Sequence, residues 1–230
     1  MPRPHKWYCE KVELFAGLTE AEMQEIIPGI LHEEYKKGQL IYAPHDRTHC
    51  TCILKDGEVT LYTLVEGKRV ILDILNPGAV FGAFGTQETE RQMYAEASQN
   101  SAICKLPHNF FLKLMQHKPQ IAMRAFSILS KRIAQYQLQV QLLSGLAARE
   151  RILATIRLLN AKEEQNILPP ILRRPISITH EKLANMTGLT RETVTKQLNQ
   201  LIEENLVQVH RRHMRLTAQG KTAIADVIAE

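Results

Sequence analysis

The residues with most chemistry to offer at close spacing are Arg191, Glu192, Thr195, Lys196 and Asn199. On a helix they share a polar face, while Val194, Leu198, Leu201 and Ile202 recur at the spacing of a buried stripe. Arginine and lysine donate to guanine and to phosphates, and glutamate accepts from the cytosine amino group. This is the side-chain set of a helix that reads base edges in a major groove. Thr190 stands ahead of it as a cap, and Glu192 and Thr193 lie in its first turn, where acidic and capping residues suit the positive end of the dipole.

Other elements must position that helix. Upstream, Thr179 can cap a shorter helix that carries Leu183 and Met186 one turn apart, and Gly188 supplies the free φ that a sharp turn between helices requires. Downstream, Leu206 to Val209 and Met214 to Leu216 are apolar alternations around His210, Arg211, Arg212 and His213, which predicts a hairpin with a basic tip suited to phosphates. Together these predict a winged helix-turn-helix, with Thr179, Thr190, Arg191, Glu192, Thr195, Lys196, Arg211 and Arg212 as DNA-binding candidates. Taken alone, the helix pair also reads as an ordinary buried hairpin with a polar face; the charged wing weighs against that.

A chain of 230 residues with 44% hydrophobic composition has room for two cores. Its net charge of +5 and pI near 9.0 fit nucleic-acid binding, though the clustering of Arg211, Arg212 and Arg215 says more than the total. No apolar run reaches the ~18 residues of a membrane span, and the first residues lack the apolar centre of a signal peptide. The expectation is a cytoplasmic protein without a membrane partner. Cys9, Cys50, Cys52 and Cys104 do not form a secreted disulfide pattern and read as thiols.

From the start, residues 10–31 predict a short helical entry, with Thr19 as cap before Glu20 and Glu22. From Leu31 the period becomes two, with turn residues every several positions. The predicted strands are Gln39 to Tyr42, Cys50 to Leu54, Glu58 to Leu64, Arg69 to Leu75, Tyr94 to Ala97 and Ser101 to Leu106, which indicates a small antiparallel barrel or jelly roll. After Pro107 the helical period returns. In the run from Gln120 to about Leu143, Phe126, Ile133 and Val140 occupy one heptad position and Leu129, Tyr136 and Leu143 the other. That seam predicts a homodimer through a coiled coil, against the alternative of a helix laid along its own barrel. Ser144 and Gly145 break it, and Arg149 to Asn160 resumes as a separate helix. The predicted class is α+β: residues 1–118 an antiparallel jelly-roll sensing barrel, 119–145 a long dimerisation helix and hinge, and 146–230 the winged helix-turn-helix.

That order resembles the CRP/FNR family of bacterial transcription regulators across nearly the whole chain. The most specific pieces are Gly188-Leu189-Thr190-Arg191-Glu192-Thr193-Val194 with Lys196, Leu54-Lys55-Asp56-Gly57-Glu58-Val59, and Asn76-Pro77-Gly78-Ala79-Val80-Phe81-Gly82. The resemblance implies a cyclic-nucleotide-binding-like barrel and a homodimer on double-stranded DNA at an inverted repeat. Arg191, Glu192 and Lys196 would contact the bases of a TGTGA-like half-site. Lys196 stands where arginine is usual, which keeps the charge and loses the planar fork. A member that activates would also touch RNA polymerase.

For the signal, the resemblance points to Phe81, Gly82, Ala83 and Phe84, then Arg91, and on the long helix Arg132 and Tyr136. Members that bind cyclic nucleotide place a glutamate after the Phe-Gly and an arginine with Ser/Thr before an alanine. Here Ala83, Met93 and Tyr94 occupy those positions, and Tyr136-Gln137 replaces the adenine-reading pair. Alanine and methionine offer neither acceptor nor charge, so a signal other than cAMP is expected. The nitrogen-regulator branch suggests a 2-oxoglutarate-like anion between Arg91 and Arg132. The oxygen-sensing branch's N-terminal cysteine cluster is absent. Cys50 and Cys52 nonetheless project to one face of a strand, and with His49 they are candidates for metal, haem or redox sensing. Buried cysteines serving as small hydrophobes are the plainer alternative. A competing class is a cupin-like enzyme with His45, His49 and His108 on a metal.

Overall fold

A computed structural model describes residues 11–46, 49–84, 93–164, 166–168, 175–211 and 213–228. The chain divides into two compact units, one of 1–63, 73–134 and 167–169, the other of 64–72, 135–166 and 170–230.

The first unit opens with a 3-10 turn at Glu13–Phe15 and helix α1 (Glu20–Ile26). Thr19 Oγ1 accepts from the Glu22 amide at 3.3 Å while the Glu22 carboxylate accepts from the Thr19 amide at 2.8 Å. This reciprocal box satisfies two amides that the helix start would otherwise leave open. The barrel strands are β1 (Leu31–Tyr35), β2 (Leu40–Tyr42), β3 (Cys50–Asp56), β4 (Val59–Val65), β5 (Lys68–Leu75), β6 (Val80–Gly82), β7 (Tyr94–Ala97) and β8 (Ser101–Pro107). They form two four-stranded sheets, ordered β1-β8-β3-β6 and β2-β7-β4-β5. Leu31 faces Lys105, Cys52 faces both Lys105 and Phe81, and Leu61 faces Ala95, all in antiparallel pairs.

Two of these strands have no counterpart among those read from the sequence. β1 has four exposed residues of five, so it lacks an apolar alternation. β6 is three residues long and ends at Gly82, whose φ is +91° and where a Cβ would fall 2.5 Å from the Cys50 carbonyl. Only glycine allows that approach.

Inside the barrel Tyr42, Cys52, Leu54, Leu61, Phe81 and Ile103 form an apolar core. A second core joins Leu14, Phe15, Met23 and Ile26 from the entry to Phe111 of α2 (His108–His117) and to Ile121 and Ala125 of α3 (Pro119–Gly145). At 27 residues α3 is about 40 Å long at 1.5 Å per residue.

In the second unit α4 (Ala148–Glu164) buries Ile152, Leu153, Ile156 and Leu159 against α5 (His180–Thr187), α6 (Arg191–Glu203), the hairpin β9 (Val207–His210) and β10 (His213–Leu216), and α7 (Ala218–Ile228). α4 runs four residues beyond the predicted end at Asn160, and α7 was not expected.

Candidate nucleic-acid interface and signal barrel

The two helices of the predicted reading pair form as their caps require. Thr179 Oγ1 accepts from the Lys182 amide at 3.1 Å, and Thr190 Oγ1 from the Thr193 amide at 3.2 Å. Gly188 closes α5 in the left-handed region at φ 65°. Val194, Leu198 and Leu201 are buried, so the turn of α6 leaves Arg191, Glu192, Lys196 and Asn199 exposed. Ile202, read as part of the buried stripe, is 40% exposed. It lies one residue past Leu201 and is therefore rotated off the packed line by the helical repeat. The Glu192 carboxyl is held below its ordinary range by its own backbone amide, by the Thr190 hydroxyl and by the charge of Arg191. The exposed face of α6 thus carries a fixed anion between cations.

Side chains away from that exposed face lock the helix pair in place. Arg151 on α4 donates from Nη1 to the Thr187 carbonyl at 3.0 Å and from Nη2 to the Leu146 carbonyl at 3.1 Å. It thereby ties the end of α5 to the connection between α3 and α4. Arg149 forms a two-pronged pair with Glu204 just past α6, with one prong at 2.7 Å. His180 Nδ1 lies 2.8 Å from Thr195 Oγ1, which itself donates to the Arg191 carbonyl at 2.9 Å. A lone histidine behind a capping threonine gave no sequence signal for this link.

The wing is pinned by α4. Asn160 donates to the Met214 carbonyl at 2.9 Å and accepts from the Leu216 amide at 3.1 Å, so its amide behaves as another strand edge against β10. Glu163 accepts from the Ile176 amide at 2.6 Å and meets His213 Nε2 at 2.9 Å. His210 faces His213, which leaves a two-residue tip. Arg211 takes φ 57° there, a conformation that glycine or asparagine adopts more cheaply. An arginine in that place spends about 1 kcal/mol to put charge at the tip. Arg212 lies outside the described residues.

In the barrel, Phe81 is fully buried and packs on Tyr42 at 6.2 Å between centroids. The Ala83 amide donates to the Cys50 carbonyl at 3.0 Å, and the Thr51 hydroxyl donates to the Ala83 carbonyl. Phe84 packs edge-on against Phe111 at 6.3 Å. Arg132 donates from Nη2 to the Val80 carbonyl at 2.7 Å, so the structure does bring it to the Phe81–Phe84 strand end. Tyr136 is half-buried one turn further along α3. Arg91, its proposed companion, lies outside the described residues, as does Cys9.

The Cys50 and Cys52 sulfurs are 3.5 Å apart and face the apolar interior, so the two do share a face. The His49 and His108 rings stand 6.4 Å apart. Among the described residues no three His, Cys, Asp or Glu side chains are grouped to hold a metal, and His45 joins no such group. Also among them, no helix is long and apolar enough to cross a membrane.

The heptad seam on α3 divides by row. Phe126, Ile133 and Val140 are 66, 58 and 63% exposed, while Leu129, Tyr136 and Leu143 are half-buried. Ile121 and Ala125, on another face, are buried in the entry core. Over residues 119–134 the helix therefore packs on its own unit's core and also keeps Phe126 and Ile133 outward, so the two readings of the seam are not exclusive.

The chain matches two family profiles, Cyclic nucleotide-binding domain over residues 32–118 and Crp-like helix-turn-helix domain over residues 150–219. It is 29% identical over 199 residues to the Cyclic AMP receptor protein of Thermus thermophilus, covering 85% of this chain and 88% of that protein. Against the Global nitrogen regulator of Synechococcus elongatus the identity is 25% over 198 residues, covering 84% and 88%. A solved CooA mutant from Carboxydothermus hydrogenoformans shares the fold with a TM-score of 0.72 at 20% identity, covering 93% of this chain and 97% of that one.

Proposed function

The chain belongs to the CRP/FNR family of transcription regulators, and from there we propose that it reads DNA as a homodimer under control of a small signal in its barrel. The observation that carries the proposal is the capped, well-buried α6 with Arg191, Glu192 and Lys196 turned outward. In this reading Arg191 and Glu192 contact a guanine and a cytosine of a TGTGA-like half-site, and Lys196 adds a single-point donor. Thr179 and Thr190 cap the helices and offer hydroxyls to phosphates, and Thr195, whose hydroxyl donates to the Arg191 carbonyl, braces the outward face of α6 for the DNA contact. Arg211 and Arg212 bring the wing to the backbone. The exposed row of Phe126, Ile133 and Val140 supports pairing of two α3 helices, which would match the two-fold symmetry of an inverted repeat. The protein would work in the cytoplasm, and as an activator it would also touch RNA polymerase.

The signal in this reading is not cAMP. The Ala83 side chain supplies no acceptor for a ribose hydroxyl, and Met93 supplies no charge for a phosphate. A small dianion between Arg132 and Arg91 remains the proposed ligand. A signal that favours the DNA-competent state by about 2.7 kcal/mol would raise affinity about 100-fold. The 3.5 Å approach of the Cys50 and Cys52 sulfurs favours a second reading, a thiol- or metal-responsive barrel. Metal content and thiol counts on protein purified without oxygen separate the two. Since the relatives are regulators of transcription, the cupin-like enzyme is set aside.

The test is selection from a random duplex pool by the intact protein and by Arg191→Ala. The variant should lose the inverted-repeat preference while keeping its dimer mass; an unchanged selected sequence removes α6 as the reading helix.

A further inference from the structure

Cys50 and Cys52 stand two residues apart on β3, so the strand turns both side chains to one face, and their sulfurs lie 3.5 Å apart. Both are buried, at 6 and 0% exposure, among Tyr42, Leu54, Leu61 and Phe81. Cys104 is not a third member of the group. It lies opposite Ile53 in the β3–β8 register, packs in the entry core and meets His32 Nδ1 at 3.2 Å. The site is therefore two thiols in an apolar wall.

A disulfide would draw the sulfurs in to about 2 Å, while an extended strand keeps the two Cα atoms about 6.6 Å apart, close to the upper limit that a disulfide spans. An atom inserted between the sulfurs fits the spacing better. With bonds of about 2.3 Å to each sulfur, a shared atom would hold the pair at roughly 100°. A linear two-coordinate ion would need its sulfurs about 4.6 Å apart at the same bond length, and structural zinc takes four ligands. Among the described residues no three His, Cys, Asp or Glu side chains are grouped for a metal. Charge acts in the same direction. Two thiolates on a monovalent cation leave a net negative charge, which an apolar interior disfavours, whereas a trivalent pyramidal centre that also carries one hydroxyl leaves none.

We propose that Cys50 and Cys52 form a two-sulfur site for trivalent arsenic, taken up as arsenite. This rests on the thiol-responsive reading of the barrel and gives it a ligand. Two As–O bonds of As(OH)3 and both S–H bonds break, two As–S bonds form, and two waters leave. Arsenic stays trivalent and the adduct is neutral. The clamp also has a route outward within the same unit. The Cys50 carbonyl accepts from the Ala83 amide at 3.0 Å, Cys52 faces Phe81 on β6, and the Val80 carbonyl of that strand accepts from Arg132 of α3 at 2.7 Å.

The experiment incubates the reduced full-length protein with arsenite without oxygen, desalts it, and measures bound arsenic by mass spectrometry and its neighbours by X-ray absorption. The expected result is one arsenic per chain with two sulfurs and one oxygen, stripped by dimercaptopropanol and not by glutathione at equal thiol. Cys50→Ala and Cys52→Ala each leave a single sulfur and should weaken retention about 100-fold or more, since the second bond is no longer intramolecular. Cys104→Ala should bind as wild type does. The sulfur number is read on wild type, so a variant that fails to fold does not hide the answer. No retained arsenic, three sulfur neighbours, or undiminished binding by Cys50→Ala overturns the proposal. Anisotropy with a TGTGA-like inverted-repeat duplex, run with arsenite and with methyl methanethiosulfonate, separates the two failures. A thiosulfonate shift that Cys50→Ala loses, with no arsenic bound, undoes the arsenic site and keeps the responsive barrel. Bound arsenic with neither reagent changing DNA affinity undoes the responsive reading and keeps the site.

Discussion

Replacing Ile133 with aspartate should separate the dimer while leaving the fold of each chain intact. Fully burying a large apolar side chain is worth about 1.5–3 kcal/mol. Phe126, Ile133 and Val140 keep 66, 58 and 63% of their surface exposed in the single chain. Covering each by a second copy would therefore recover roughly 1–2 kcal/mol, or about 6–12 kcal/mol over both copies. Association costs about 4–15 kcal/mol, so this row is of the size that decides whether a dimer persists. Ile133→Asp removes roughly 2–4 kcal/mol across two copies, a ~30- to 1000-fold weaker dimer. In a parallel pair the same heptad position meets itself, and two carboxylates there repel. Ile133 has little packing in its own chain to lose, so circular dichroism and melting of the variant should stay near wild type. Sedimentation equilibrium across a concentration series measures the constant, with Ile133→Leu as the conservative control. A variant as dimeric as wild type, or a wild type that stays monomeric throughout, refutes the seam.

Two further outcomes follow from the wing and from the N-terminal cap. Arg211→Asn keeps a residue tolerant of φ 57° and removes only the charge. It should weaken binding to specific and random DNA alike and make the salt slope shallower by about one phosphate, as read by titrations at several salt concentrations; equal slopes count against the contact. Glu22 is lowered to about 2, first by the Thr19 amide, then by the Thr19 hydroxyl and Lys118. A depressed carboxylate stabilises the fold above its unfolded value of about 4.3 and loses that contribution as pH falls through the folded one. Thermal melts should thus show wild type more stable than Glu22→Gln at pH 6, with the gap closing toward pH 2 and shrinking in high salt because the group is exposed. A constant gap would place the effect elsewhere.

Much of the reading half was legible because local chemistry specifies it. Thr179, Gly188 and Thr190 punctuate α5 and α6 whatever lies around them, and the spacing of Val194, Leu198 and Leu201 decides which face of α6 turns outward. The barrel's longer strands announced themselves by period two and by their turns. β1 and β6 did not, since one is mostly exposed and the other is three residues set against Cys50 by the backbone of Gly82. Their strand character comes from partners far away in sequence.

Local pattern sets the order of elements, the cap positions and the polar face of α6, because each depends on residues within a few positions of one another. Tertiary structure decided which row of α3 stays exposed, since that depends on where Ile121 and Ala125 find the entry core. It also decided that Arg151 bridges two carbonyls, that Asn160 extends the wing and that His180 reaches Thr195. Each of these bonds joins groups brought together only by packing, and a one-dimensional pattern carries no record of such an approach.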